Sequence, residues 1–192
     1  MAKPSALLKI PTERVGALIG PEGKTKKAIE AKMAIELQID SQTGDVTIIM
    51  TEKSTDPSVL FRAKEVVTAV GRGFSPEHAF RLIDDEDALL DVIDLRITFG
   101  KSESDIKRVK GRIIGMDGKT RRLIEELAGA NVAVYGHTVC IIGNIDQSQT
   151  AREAVEMLVK GSLHATVYRF LHRKRREMKK KMLELWEKPE KE

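Results

Sequence analysis

Cysteine is almost absent. Cys140 stands alone among 192 residues, which excludes a disulfide framework and a multi-cysteine zinc site. Aromatic residues make up only 4%, too few for the exposed ring platforms on which single-stranded bases stack. The four histidines, His78, His137, His164 and His172, show no ligand spacing, so neither a metal nor another cofactor is expected. No apolar run approaches the 18 or so residues of a membrane span, and no membrane partner is expected. The opening stretch MAKPSALLKIPTERVG does not read as a secretory signal, because Glu13 and Arg14 cut its apolar part short. A cytoplasmic location follows as the expectation. An excess of one charge is also missing: 33 Lys and Arg face 29 Asp and Glu, for a net +4. That permits an acidic partner without demanding one, so the distribution of charge must decide. What is present is 41% hydrophobic residues, enough for a core, and a length that suits two compact units of about 90 to 100 residues.

The chain repeats itself. Residues 16–30 read GALIGPEGKTKKAIE and residues 111–125 read GRIIGMDGKTRRLIE. Gly16, Ile19, Gly20, Gly23, Lys24, Thr25, Ile29 and Glu30 match Gly111, Ile114, Gly115, Gly118, Lys119, Thr120, Ile124 and Glu125. Such self-similarity at one fixed offset marks two copies of one structural unit.

Each copy has the same order of elements. Ala6 to Ile10 is a short apolar stretch. A helix follows from Thr12 to the glycines, with Pro11 near its start. After Gly23 a second helix puts Ala28, Ile29 and Met33 on one face. Ile35, Leu37 and Ile39 alternate with polar residues, as do Val46, Ile48 and Met50 beyond the Thr43-Gly44-Asp45 turn; both have strand period. Val59, Ala63, Val66, Val67 and Val70 then recur at helical spacing. In copy two a strand is expected over Leu95 to Phe99, helices from about Ser104 and after Gly118, and strands at Val132–Val134 and Val139–Ile142. Ala151, Ala154, Val155, Leu158 and Val159 line a last helix. The order is β-α-α-β-β-α, twice, an α+β fold.

The domain reading is a first unit over 1–83, a connection over 84–94, a second unit over 95–162, and a tail helix over 163–192. The first unit carries an extra short helix, with Ser75 as N-cap and Pro76 at its first position. The connection holds six acidic residues and no basic one, and reads as a solvated linker or a surface for a basic partner. The tail holds seven Lys or Arg between His172 and Lys181, ordinarily a solvated helix face but also a shape that phosphate attracts without sequence preference.

The repeated Ile-Gly-x-x-Gly-Lys-Thr lies between two helices. Glycines three apart let the backbone turn tightly and leave no Cβ to obstruct a close approach. The N–H groups at the start of the next helix favour an anion, and phosphate is the obvious one. A nucleotide-binding P-loop needs a glycine five residues before the Gly-Lys pair. Leu18 and Ile113 stand there, and a helix rather than a strand precedes the loop. Glu125 and Glu126 are adjacent on a helix and point apart, so paired acid–base work is not expected, and Cys140 reads as core.

Helix, Ile-Gly-x-x-Gly, helix, two strands and a helix resembles the KH domain in its type I order, so the fold implied is two tandem type I KH domains with a basic C-terminal helix. In KH domains the glycine loop clamps the backbone of about four nucleotides, and aliphatic rather than aromatic side chains line the groove. The tandem copies, the GRGFSPE segment, the acidic connection and the basic tail together resemble the archaeal partner-of-Nob family, the Pno/Dim-type ribosome biogenesis factors. That resemblance covers roughly residues 5–185. It implies single-stranded RNA binding near the 3′ end of the small-subunit rRNA during subunit assembly, without catalysis. It also implies a Nob-type endonuclease and the alpha subunit of translation initiation factor two as partners.

On this basis copy two is the RNA-binding candidate, through Arg112, Ile114, Gly115, Met116, Asp117, Gly118, Lys119, Arg121 and Arg122. Lys107, Arg108 and Lys110 add charge nearby, and Val132 and Val134 offer strand-edge contacts. Copy one, with Gly20, Gly23, Lys24 and Lys27, is a secondary candidate, because Pro21 removes an N–H donor and Glu13 and Glu22 add negative charge. Asp117 opposes a phosphate unless it caps the following helix. Two other readings stay open: a protein-docking scaffold with incidental nucleic-acid binding, and a KH protein for single-stranded DNA.

Overall fold

The computed structural model describes residues 4–187 apart from 53 and 55. The first unit runs β1 (Ser5–Lys9), α1 (Thr12–Ile19), α2 (Lys24–Met33), β2 (Ile35–Ile39), β3 (Asp45–Met50) and α3 (Ser58–Gly71). Two short helices follow, α4 (Pro76–Ala79) and α5 (Arg81–Asp84). The second unit runs β4 (Leu89–Asp94), α6 (Arg96–Phe99), α7 (Glu103–Ile114), α8 (Lys119–Ala128), β5 (Asn131–Tyr135), β6 (Thr138–Gly143) and α9 (Ile145–Val159). The tail is the single helix α10 (His164–Glu187). Each unit is a three-stranded antiparallel sheet with its last strand in the centre, in the orders β1-β3-β2 and β4-β6-β5. This is the expected β-α-α-β-β-α order, made twice, with the short α6 added after β4 in the second unit.

One expected strand is misplaced. Leu95–Phe99 is not a strand; the first strand of the second unit is β4, inside the acidic stretch expected to be a connection. Two contacts explain the shift. Asp91 is neutralised by Arg152 of α9, whose Nε donates to it at 2.6 Å. Asp94 accepts from the Arg96 N–H at 2.9 Å, and this Asx turn starts the helical turn of α6, which ends at Gly100.

In the first sheet, period two places Leu37, Val46 and Ile48 against α1, α2 and α3, while Leu7 on the opposite face is exposed. The second sheet is different, because every residue of β6 is buried. Val139 and Ile141 face the second unit's own helices. Cys140 and Ile142, with Ala133 of β5, pack instead into the first unit's core beside Phe74, Ala79 and Leu82. The segment after α3 thus covers the back of the second sheet. Ser75 caps α4 as expected, accepting from the His78 N–H. Arg81 of α5 then donates to the Gly129 carbonyl at 3.2 Å, to Asn131 Oδ1 at 3.2 Å and to Gln147 Oε1 at 2.7 Å. Arg14 of α1 lies over the Tyr135 ring, and the Tyr135 hydroxyl donates to Glu13.

Candidate nucleic-acid interface

The two glycine loops have one conformation. Gly20 and Gly115 have φ/ψ of 70°/174° and 73°/176°. Glu22 and Asp117 follow at 53°/24° and 50°/29°, then Gly23 and Gly118 at 74°/15° and 76°/12°. The glycines serve different ends. A Cβ on Gly115 would lie 2.3 Å from Thr120 Oγ1 and 2.8 Å from the Thr120 backbone N. A Cβ on Gly118 would meet nothing within 4 Å. The first glycine lets the loop close onto the start of α8, and the second leaves the approach to that helix N-terminus clear. Asp117 does not cap α8, which has no side-chain cap. Its carbonyl accepts from Arg122 Nη2 at 2.8 Å, which brings a guanidinium onto the loop.

β5 is an edge strand, and its free edge faces the helices. The Val132 N–H donates to Glu125 Oε1 at 2.9 Å, and Arg121 Nη1 donates to the Val132 carbonyl at 3.3 Å. Copy one repeats the first contact, with Leu37 N–H donating to Glu30 at 2.8 Å. The matched Glu30 and Glu125 therefore hold an edge strand against its helix, a role the sequence pattern did not disclose. Two residues along, Val134 turns its N–H and carbonyl to the same side, where no group among the described residues takes them. Val132 is thus occupied, and Val134 is the open strand-edge position of the pair. At the far end of β5, Lys110 of α7 donates to the Gly136 carbonyl at 2.7 Å. A cation on each helix brackets the strand.

The remaining expected residues divide clearly. Met116, Asp117 and Lys119 are exposed, and Ile114 is half-buried beside the loop. Among the described residues no carboxylate lies within 4 Å of Lys107, Lys119 or Arg122. Arg112 lines a hollow beside the loop with Gly115, Met116 and Lys119. It turns to the tail, where its Nη2 donates to the Ser162 carbonyl at 2.5 Å and its own carbonyl lies 2.9 Å from His164 Nε2. Thr120 meets Tyr168 of α10 at 2.9 Å. Both contacts span about fifty residues, and no local signal announces them. The tail's charges are partly spent as well, with Arg175 on Glu126 and Lys174 on Glu153.

Copy one brings fewer free cations together. Lys24 lies 3.3 Å from Glu22, and Lys26 lies 3.8 Å from Glu30. Glu13 accepts from Tyr135 of the second unit, and Arg14 donates to the Val70 and Phe74 carbonyls of the first while lying over that same ring. Lys27 alone of its loop cations has no carboxylate within 4 Å among the described residues. Burial pushes the Cys140 thiol up to about 11, as fits a core residue. Among the described residues no group of three or more His, Cys, Asp or Glu is placed to hold a metal ion.

Comparison with known proteins agrees with this architecture. A family model for the second KH domain of PNO1, described as a eukaryotic type KH domain (type I), matches residues 89–176. A model of the Krr1 KH1 domain matches residues 12–85. A KH domain-containing protein of Methanocaldococcus jannaschii is 50% identical over 182 residues, covering 95% of this chain and 79% of that one. The pre-rRNA-processing protein PNO1 of Candida albicans is 24% identical over 164 residues, 85% of this chain and 59% of its own length. A chain in the crystal structure of the a/eIF2alpha–aDim2p–rRNA complex from Pyrococcus horikoshii superposes with a TM-score of 0.83 at 46% identity, covering 91% of this chain and 96% of that one.

Proposed function

The chain belongs to the family of tandem KH-domain proteins that includes archaeal Dim2p and eukaryotic PNO1, and from that premise we propose that it binds single-stranded RNA in pre-rRNA processing. The RNA is held by the second copy. Phosphates meet the Gly115–Gly118 backbone at the positive end of α8, with Lys107, Lys119 and Arg122 supplying charge. Bases lie against Ile114 and are read at the open backbone of Val134. Lys110 and Arg121 fix the two ends of β5 and so shape the groove.

The observation that carries this reading is the difference between two loops of one conformation. In copy one, two of the three loop cations, Lys24 and Lys26, sit beside carboxylates; of the matching three in copy two only Arg121 does, 3.8 Å from Glu125, while Lys119 and Arg122 do not and Lys107 of α7 adds a further cation. The finer part of the proposal is a site near the 3′ end of the small-subunit rRNA, beside a Nob-type endonuclease and the alpha subunit of initiation factor two. The chain itself cuts nothing.

Fluorescence anisotropy with a short RNA from that 3′ end tests it, beside a scrambled RNA and the matching DNA at two salt concentrations. Preference for the native RNA, lost in Gly118→Asp and kept in Gly23→Asp, is the expected result. Sequence-blind binding that disappears with salt and ignores both loops would instead assign the binding to the α10 cations and leave the KH units as a docking scaffold. Equal affinity for the matching DNA would favour the DNA-binding alternative.

A further inference from the structure

A cleft of about 730 Å³ opens on α7 beside the β5–β6 turn. Arg96, Lys101, Glu103, Ile106, Lys107, Lys110, Gly136 and His137 line it. It adjoins the groove, because Lys107 and Lys110 belong to both and Gly136 directly follows β5. Four cations face one carboxylate on its walls. Among the described residues the charged groups of the Arg96, Lys101 and Lys107 side chains have no carboxylate within 4 Å, and that of Lys110 donates to the Gly136 carbonyl. The one other acid at its edge, Asp94, lies 3.7 Å from His137 Nε2. Burial lowers the His137 imidazole; Asp94 draws it back up, while Arg96, Arg72 and Lys110 push it further down. Three cations thus lie close enough to act on this one ring.

We propose that this cleft is a second phosphate-binding stretch, which takes the backbone of the RNA strand one or two nucleotides beyond those held at the glycine loop. The proposal rests on the RNA-binding reading given above. Four nucleotides fill a KH groove, and a strand leaving it past Val134 arrives at Gly136, where the cleft begins. The walls offer charge and few base-sized apolar surfaces, so the contact is to phosphate and sugar and carries no sequence preference.

The full chain is titrated by anisotropy with a labelled tetranucleotide from the rRNA 3′ end. The same RNA is then extended by four uridines at its 5′ or its 3′ side. One extended RNA is expected to bind about tenfold tighter than the tetranucleotide at 50 mM salt, through two added phosphate contacts. The double variant Arg96→Gln, Lys101→Gln keeps the tetranucleotide affinity and loses that advantage. With a slope of about 0.7 per phosphate for single strands, the advantage shrinks about sevenfold between 50 and 200 mM salt in the wild type. Lys101→Glu alone acts in the same direction. An extension that adds nothing on either side overturns the proposal, as does a double variant that keeps the advantage or weakens both RNAs equally. Tetranucleotide binding lost in Gly118→Asp shows that the groove reading stands whatever the cleft does. A wild-type chain that ignores the tetranucleotide overturns both.

Discussion

Replacing each glycine of the second loop by alanine should have unequal effects, although the two look alike in the motif. Gly115 sits at φ 73°, ψ 176°, a region that is essentially glycine's alone and costs another residue about 1–3 kcal/mol. Its new Cβ would also fall 2.3 Å from Thr120 Oγ1 and 2.8 Å from the Thr120 N. Thr120 is buried and bonded to Tyr168, so it has nowhere to go, and overpacking adds about 1–3 kcal/mol. Gly115→Ala should therefore cost about 4 kcal/mol, or roughly 8–16 °C in Tm for a chain of this size. Gly118 is at φ 76°, ψ 12° with open space beyond it, so Gly118→Ala pays only the left-handed backbone, about 1–2 kcal/mol. Asparagine and aspartate tolerate that backbone better still, so Gly118→Asp should fold well. Its carboxylate would occupy the place of a phosphate. At about 4 Å the repulsion is about 1 kcal/mol in water and about 4 kcal/mol at a protein surface, a fivefold to several hundredfold loss of affinity. Urea denaturation followed by circular dichroism gives the stabilities, and anisotropy gives the affinities. Adding Thr120→Ala should not rescue Gly115→Ala, since the backbone nitrogen remains in the way. Equal destabilisation at the two glycines, or full rescue by Thr120→Ala, would refute the steric argument.

Three further outcomes are expected. Glu125→Ala leaves the Val132 N–H without its acceptor and should cost about 1–3 kcal/mol, with faster amide exchange at Val132 by NMR and little change in Glu126→Ala. Arg81→Ala removes three hydrogen bonds between the units and should cost about 1.5–3 kcal/mol, with the transitions of the two units separating in calorimetry. The Cys140 thiol, raised by burial from about 9 to about 11, should resist a maleimide at pH 8 until the chain unfolds. Because its folded value is the higher one, its contribution to stability is present below pH 9 and is lost as pH rises towards 11, an effect absent in Cys140→Ala.

How much was legible in advance depends on the range of the interactions. The two loops, their flanking helices and five of the six strands are visible because the repeat and its short apolar stretches are local. β4 was missed because Asp91 and Asp94 read as linker until Arg152, 61 residues away, is brought beside Asp91. Arg112 stands next to the loop as its position implies, and its guanidinium also donates to Ser162 fifty residues downstream, a contact no local pattern announces. Glu30 and Glu125 match in the repeat, yet a carboxylate on an edge strand's N–H leaves no trace in spacing. The groove's open backbone at Val134 has no side-chain signature at all.

The back of β6 has a consequence for how the two copies came to differ. A stretch matched as a KH unit begins at residue 89, yet a chain cut there would bare Cys140, Ile142 and Ala133 to water. Residues 71–88, outside the repeat, are the lid over that surface. The two copies share one plan, and this added segment makes them unequal: one half keeps an open sheet face, while the other has both faces covered and the edge of β5 set on a packed backing. The first copy need not touch RNA to matter for RNA binding, because the strand that would present Val134 is braced from behind by it.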